Sequence, residues 1–199
     1  MLNGIRIIEF EALGPAPFAS MMLAELGAEV ITIHRANAAT TPAKSDASLL
    51  DTAKKSIVLD LKSTADVALA KALVQSSDAL IEGMRPGVME RLGLGPSDIR
   101  AIAPKVIYGR MTGWGQSGPR ALQAGHDLNY ISLSGAAWYA SNPTEAPFTP
   151  PTLVGDIGGG ALYLVIGVLA GILNARETGK GCVVDAAIVD GSAHMMNLL

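Results

Sequence analysis

GIRIIEFEALGPAPFASMMLAELGAEVITIHR, residues 4–35, decides the fold. Residues 5–10 are apolar and β-branched, as a buried strand requires. Residues 17–26 carry apolar side chains at helical spacing and stop at Gly27, a natural helix end. Residues 29–34 return to a strand pattern. Strand, helix and strand joined by links this short form a βαβ unit.

The same alternation continues outward. Residues 56–59 read as a short strand. Ser63, with Asp66 three residues on, caps a helix that runs to about Gln75. Residues 79–82 and 106–110 supply two more strands. Between them Pro86 opens a short helix ending near Gly93, and Ser97 caps a further turn or two. The pattern predicts an α/β fold of Rossmann-like type, a mostly parallel sheet flanked by helices. Two irregular stretches interrupt it. Residues 112–124, TGWGQSGPRALQA, deliver the chain to His126, and residues 141–151, with four of the eleven prolines, deliver it to Asp156.

Composition bounds the function classes. With 199 residues and 49% hydrophobic content, the chain can bury a respectable core. A net charge of −3 with 17% charged residues supplies no basic field, so neither nucleic acid nor an anionic membrane surface is an expected partner. The single cysteine, Cys182, cannot form an intramolecular disulfide; it reads as a thiol opening a buried strand, and residence in the cytoplasm fits. The amino terminus lacks the pattern of a signal peptide. IGGGALYLVIGVLAGILN, residues 157–174, carries no charge and approaches the length of a membrane span. Its three leading glycines and soluble α/β surroundings make a buried central helix the better reading. At the other end, AAIVDGSAHMMNLL is helix-like, with His194 and its methionines read as packing, and it stops without a stop signal, as a truncated polypeptide would.

Candidate binding residues cluster after strands, the edge where open α/β sheets take ligands. The first strand-to-helix turn, EALGPAP, does not match the glycine spacing of a dinucleotide site. Arg35, Lys62, Arg85 and Arg91 all fall in loops or helix starts on that edge. Each alone is more often a solvated surface charge; their shared location points to an anionic ligand. His34 has no partner at metal-ligand spacing, and no metal site is expected.

His126 and Asp156 are the two polar candidates of the second half. His126, in AGHDLNY, is placed at a helix start, where the macrodipole favours the neutral imidazole that can act as a base. Asp156, in VGDIGGG, stands before an apolar helix, where an acid serves equally as a cap or as a functional group. The glycines at 158–160 would let a ligand or another backbone approach closely. Trp114 is open to two readings, lining a pocket or pinning its loop.

GHDLNYISLSG, VGDIGGG, EGMRPGVMERLGLGP, RMTGWGQSGPR and GKGCVVDAAIVDGS together resemble the class III coenzyme A transferase family, also called CaiB/BaiF, and most closely its α-methylacyl-CoA racemase branch. The resemblance implies that residues 1–199 form the N-terminal part of a large Rossmann-like domain, without the small domain and the remainder. It implies an interlocked homodimer when the polypeptide is whole. It assigns catalysis to His126 and Asp156, an acid beyond residue 199 supporting the histidine. Coenzyme A contacts fall on Arg35, Lys62, Arg85 and Arg91, with Tyr130 near the pantetheine or thioester. Coenzyme A is then part of an acyl-CoA thioester substrate, and no cofactor is permanently bound. Two acid/base groups flanking one carbon suit racemisation of 2-methylacyl thioesters through an enolate, with backbone amides near Asp127 as donors to its oxygen. Two alternatives stand beside this: a transferase in which Asp156 forms an acyl anhydride, and a non-catalytic acyl-CoA-binding fragment.

Overall fold

The computed structural model describes residues 1–36, 48–140, 142–149 and 152–198. Parts of the proline-rich stretch, residues 141, 150 and 151, lie outside the described residues. Among the described residues, six strands form one sheet: β1 Arg6–Phe10, β2 Glu29–Arg35, β3 Lys55–Leu59, β4 Ala79–Glu82, β5 Ile107–Thr112 and β6 Val183–Ala187. Their order is β3-β2-β1-β4-β5-β6, and every pair is parallel. This is the doubly wound order of the Rossmann fold, in which the connections reverse direction between β1 and β4.

The described residues form seven α-helices: α1 Pro15–Glu25, α2 Thr64–Gln75, α3 Val88–Arg91, α4 Pro96–Ile102, α5 Asp127–Ser134, α6 Leu162–Thr178 and α7 Ile188–Met195. Alternation along the strands divides the core into two layers. Ile7, Leu23, Ile81, Leu164 and Val168 pack on the face covered by α1 and α6. Ile8, Phe10, Val74, Leu80 and Ile99 pack on the face covered by α2 and α4. Truncating the fully buried Leu164 to alanine would cost about 2–5 kcal/mol.

Single residues fix the helix starts, though not always the residue the sequence suggests. Ser63 caps α2, its hydroxyl accepting from the amide of Asp66 at 3.5 Å. Helix α1 starts two residues earlier than its apolar spacing suggests, because Pro15 presets the first helical position. Pro86 does not open α3: Gly87 intervenes in the left-handed conformation, φ 81°, so the helix begins at Val88. Ser97 does not cap α4. Pro96 takes the first helical position, and the amide of the capping Gly95 donates to Asp98 Oδ2 at 3.0 Å.

The uncharged segment is a helix, packed by one face only. Val165, Val168 and Ile172 are buried against the sheet, whereas Ile166 and Leu173 are 64% and 68% exposed. Its glycines allow the close approach. A methyl on Gly171 would lie 3.0 Å from Ile107, and one on Gly167 would collide with Val184. Strand β6 pairs only with β5 among the described residues, so Cys182 precedes an edge strand and is half-buried. His194 is exposed rather than buried in the core: its ring meets Tyr163 edge-on with centroids 5.6 Å apart, and its Nδ1 shares a 2.6 Å hydrogen bond with the Tyr163 hydroxyl.

Candidate active site

Opposite windings of the chain at β1 and β4 open a crevice at the carboxyl edge of the sheet, where ligands bind in folds of this kind. A cavity of about 490 Å³ occupies it. Leu13 and Pro15 after β1, Arg85 after β4, and Trp114 after β5 contribute to its walls. His126, Tyr130 and Asp156 line the same cavity. The two polar candidates of the second half, 30 residues apart in sequence (156 − 126), are therefore brought together.

His126 is the N-cap of α5, in extended conformation at φ −136°. Its backbone N–H donates to Asn129 Oδ1 at 2.9 Å, which fixes the start of the helix. Its side chain is exposed. The next residue, Asp127, occupies the first position of α5, so its amide has no acceptor inside the helix. Tyr130, one turn on, is buried; its ring stacks edge-on against Trp114 with centroids 4.7 Å apart. Gly113 and Gly125 are glycines because the Tyr130 ring fills the space a side chain would take. Trp114 thus does both of the things its sequence left open: it pins its loop and lines the crevice.

Asp156 sits in a π-helical run, Leu153–Ala161, which leads directly into α6. Wide turns of this type are rare and occur frequently at functional positions. Thr152 enters the run in the left-handed region, φ 65°, which costs a non-glycine residue of order 1 kcal/mol. The surrounding contacts hold it there: the amide of Ile157 donates to the Thr152 carbonyl at 3.0 Å. The amides of Gly155 and Asp156 both donate to Asp127 Oδ1, at 2.7 and 2.8 Å. Burial, then the neighbouring Asp127 carboxylate, push the Asp156 carboxyl up to about 6, against a pull downward from His126. Tyr130 is pushed up to about 12, by burial and by the charge of Asp156.

The triple glycine after Asp156 serves helix packing, not ligand approach. A methyl on Gly159 would strike the backbone of Ser192 and the Ile188 carbonyl of α7, and one on Gly160 would lie 2.9 Å from Ile188 Cγ1. On the other side, Gly191 lies against the backbone of Gly159. Glycine is needed because α7 crosses the π-helical run at backbone contact distance.

The four cations occupy the expected edge but are not equivalent. Only Arg85 lines the crevice. Arg35 ends β2, where its amide donates to Glu11 Oε2 at 2.9 Å and its guanidinium lies 3.8 Å from the same oxygen. His34 Nδ1 lies 3.7 Å from the other Glu11 oxygen. Lys62 follows β3 and is exposed, as is Arg91 on α3. The first strand-to-helix turn cannot cradle a pyrophosphate, since Pro15 and Pro17 remove two amide donors from the start of α1.

Residues outside the sequence reading support this edge. Arg110 Nε donates to Glu82 at 2.9 Å and Nη1 to Glu90 at 2.9 Å, tying β5 to β4 and α3 beneath the Arg85 loop. Burial raises the carboxyl of Glu82. Lys54 Nζ donates to Glu9 at 2.7 Å and to the Pro17 carbonyl at 2.9 Å, joining β1 to α1. A buried acid in β1 breaking the apolar run of IIEF was the one available sign of that pair.

A Rossmann-like α/β protein whose imidazole and carboxyl line the switch-point crevice is the class that the fold and site define. The chain belongs to CoA-transferase family III, whose model it matches over residues 2–199. It is 39% identical over 198 residues to human α-methylacyl-CoA racemase, covering 100% of this chain and 50% of that protein. It is 32% identical over 198 residues to mouse succinyl-CoA:glutarate CoA-transferase, covering 94% of this chain and 45% of that protein. The crystal structure of a CAIB/BAIF family protein from Brucella suis superposes with a TM-score of 0.87 at 26% identity, covering 98% of this chain and 55% of that one. The chain spans about half the length of the relatives it matches.

Proposed function

We propose that the whole protein racemises 2-methylacyl-CoA thioesters by two-base proton transfer. The observation that carries the reading is the placement of His126 and Asp156 on one crevice. In one direction the His126 imidazole takes the α-proton, the C–H electron pair moves into the enolate, and protonated Asp156 returns a proton to the opposite face. In the other direction the roles exchange. A carboxyl near 6 is available in both forms close to neutral pH, which a group that alternates between acid and base requires. The Asp127 amide donates to the enolate oxygen. Arg85 holds the coenzyme A moiety at the crevice, with Arg35, Lys62 and Arg91 further along the same edge, and Tyr130 borders the thioester. Two chains interlock as a homodimer in the cytoplasm, and the polypeptide beyond residue 199 completes the site.

The transferase relatives support a second reading, in which the Asp156 carboxylate attacks the thioester carbonyl, forms an acyl anhydride and releases the coenzyme A thiolate for a second acid. That chemistry assigns His126 no proton to remove. The experiment incubates the full-length protein with a 2-methylacyl-CoA in heavy water and follows the α-proton by NMR, alongside His126→Ala and Asp156→Ala. Exchange and inversion lost in both variants support racemisation. Transfer of coenzyme A to an added carboxylate without α-exchange overturns it in favour of the transferase. If neither reaction occurs, the fragment reading, an acyl-CoA-binding domain, stands.

A further inference from the structure

We infer that the side chain of Asp127 is a positioning residue, a clamp that sets where the Asp156 carboxyl stands against His126. The inference rests on the racemase reading for what Asp156 does, but its geometry is independent of it. Asp127 is 3% exposed at the start of α5, where an acid ordinarily stabilises its own helix from the solvent side. Here it reaches instead to a segment 28 and 29 residues away, and one oxygen, Oδ1, accepts both the Gly155 and the Asp156 amides. Oδ2 is buried and has no hydrogen-bond partner among the described residues, so the hydrogen bonds of this carboxylate go to those two amides. Gly155 is shaped for the contact: a Cβ there would lie 2.6 Å from Asp127 Oδ1 and 3.0 Å from Ile131 Cγ2. Because His126 is the residue bonded to Asp127, and the Asp127 carboxylate is hydrogen-bonded to the Asp156 amide, one side chain links the two reactive residues.

The clamp also carries charge. The groups that act on the Asp156 carboxyl are Asp127, which disfavours its ionisation, and His126, which favours it; the charge of Asp156 in turn acts on Tyr130. The other elements packed against the π-helical run carry Asp190 and His194 on α7, Asp185 on β6, Tyr108 and Arg110 on β5, Tyr163, Arg176 and Glu177 on α6, and Glu25 on α1. An asparagine at 127 keeps an oxygen to accept both amides and removes the charge, so the two roles separate.

The test uses the full-length protein. In Asp127→Ala, hydrogen–deuterium exchange of the peptide containing residues 155 and 156 rises, and turnover falls by about 10²-fold, the cost of a misplaced reactive group, with KM little changed. In Asp127→Asn, the protection returns, while the titration midpoint of the ¹³C-labelled Asp156 carboxyl moves to lower pH. Gly155→Ala displaces the clamp while leaving Asp127 in place, and it lifts the same protection if Asp127→Ala fails to fold. Unchanged protection in Asp127→Ala and Gly155→Ala, or an unchanged midpoint in Asp127→Asn, overturns the inference. Should these readouts respond while the wild type exchanges no α-proton, the clamp stands and the racemase reading fails.

Discussion

One oxygen of Asp127 accepts the backbone amide of Asp156 at 2.8 Å, across 29 residues of sequence. This bond, with its twin to Gly155, fixes the first turn of the π-helical run and makes residue 155 a glycine by necessity. Gly155→Ala therefore meets the Asp127 carboxylate on one side and Ile131 on the other. The expected loss is about 1–3 kcal/mol, typical of overpacking, read as a fall in the denaturation midpoint without a change in slope.

The raised carboxyl of Asp156 predicts how stability varies with pH. Its value moves from 3.8 to about 6 on folding, so the native state binds the proton more tightly. The contribution is complete below about 3.8 and is lost as pH rises through about 6. Asp156→Asn removes this dependence. After discounting for the half-exposed position of the group, the variant should gain on the order of 1 kcal/mol at pH 8 and nothing at pH 3.5. Thermal denaturation of both proteins across this range measures it; an equal difference at both ends would contradict the assignment.

The glycine cluster makes a graded prediction. Gly191→Ala places a methyl against the Gly159 backbone, which cannot swing aside, whereas Gly158→Ala meets the Leu153 carbonyl and the flexible end of Met195, both at 3.3 Å. Gly191→Ala should lose 3 kcal/mol or more, at or above the top of the roughly 1–3 kcal/mol range for overpacking, and Gly158→Ala about 1 kcal/mol. Equal losses would show that the glycines do not serve the α7 crossing.

What could be read from the sequence was what neighbouring residues decide together. The first βαβ unit, the Ser63 cap and the parallel character of the sheet follow from apolar period and single capping residues; the order β3-β2-β1-β4-β5-β6 does not. The caps at Pro86 and Ser97 were misplaced because a glycine or proline one or two residues away competes for the same position. The π-helical run has no sequence signature distinct from an apolar helix. The Asp127 clamp and the Arg110 network join residues 20 to 29 positions apart, so no local pattern announces them. The glycines after Asp156 were visible, but their partner, α7, could be assigned only once the chain was folded.

Arg110 supplies the last prediction, because it separates breaking an ion pair from replacing it. Its guanidinium is nearly buried between Glu82, whose side chain is fully buried, and Glu90, which is 44% exposed. Glu82 keeps one further donor, the Met84 amide at 2.7 Å, at the base of the loop that carries Arg85. Arg110→Met leaves the Glu82 charge facing an apolar side chain, and the expected cost is about 3–5 kcal/mol, growing as pH rises and Glu82 ionises. Adding Glu82→Gln to that variant removes the uncompensated charge and should recover more than half of the loss, a coupling that a double-mutant cycle measures. If Arg85 holds coenzyme A as proposed, both variants should also weaken thioester binding, because Glu82 ties down the Met84 amide beside Arg85. A double variant with stability restored and KM still raised would locate the effect in the loop, whereas a loss that Glu82→Gln does not relieve would mean that packing of the Arg110 stem, rather than its charge, stabilises this edge.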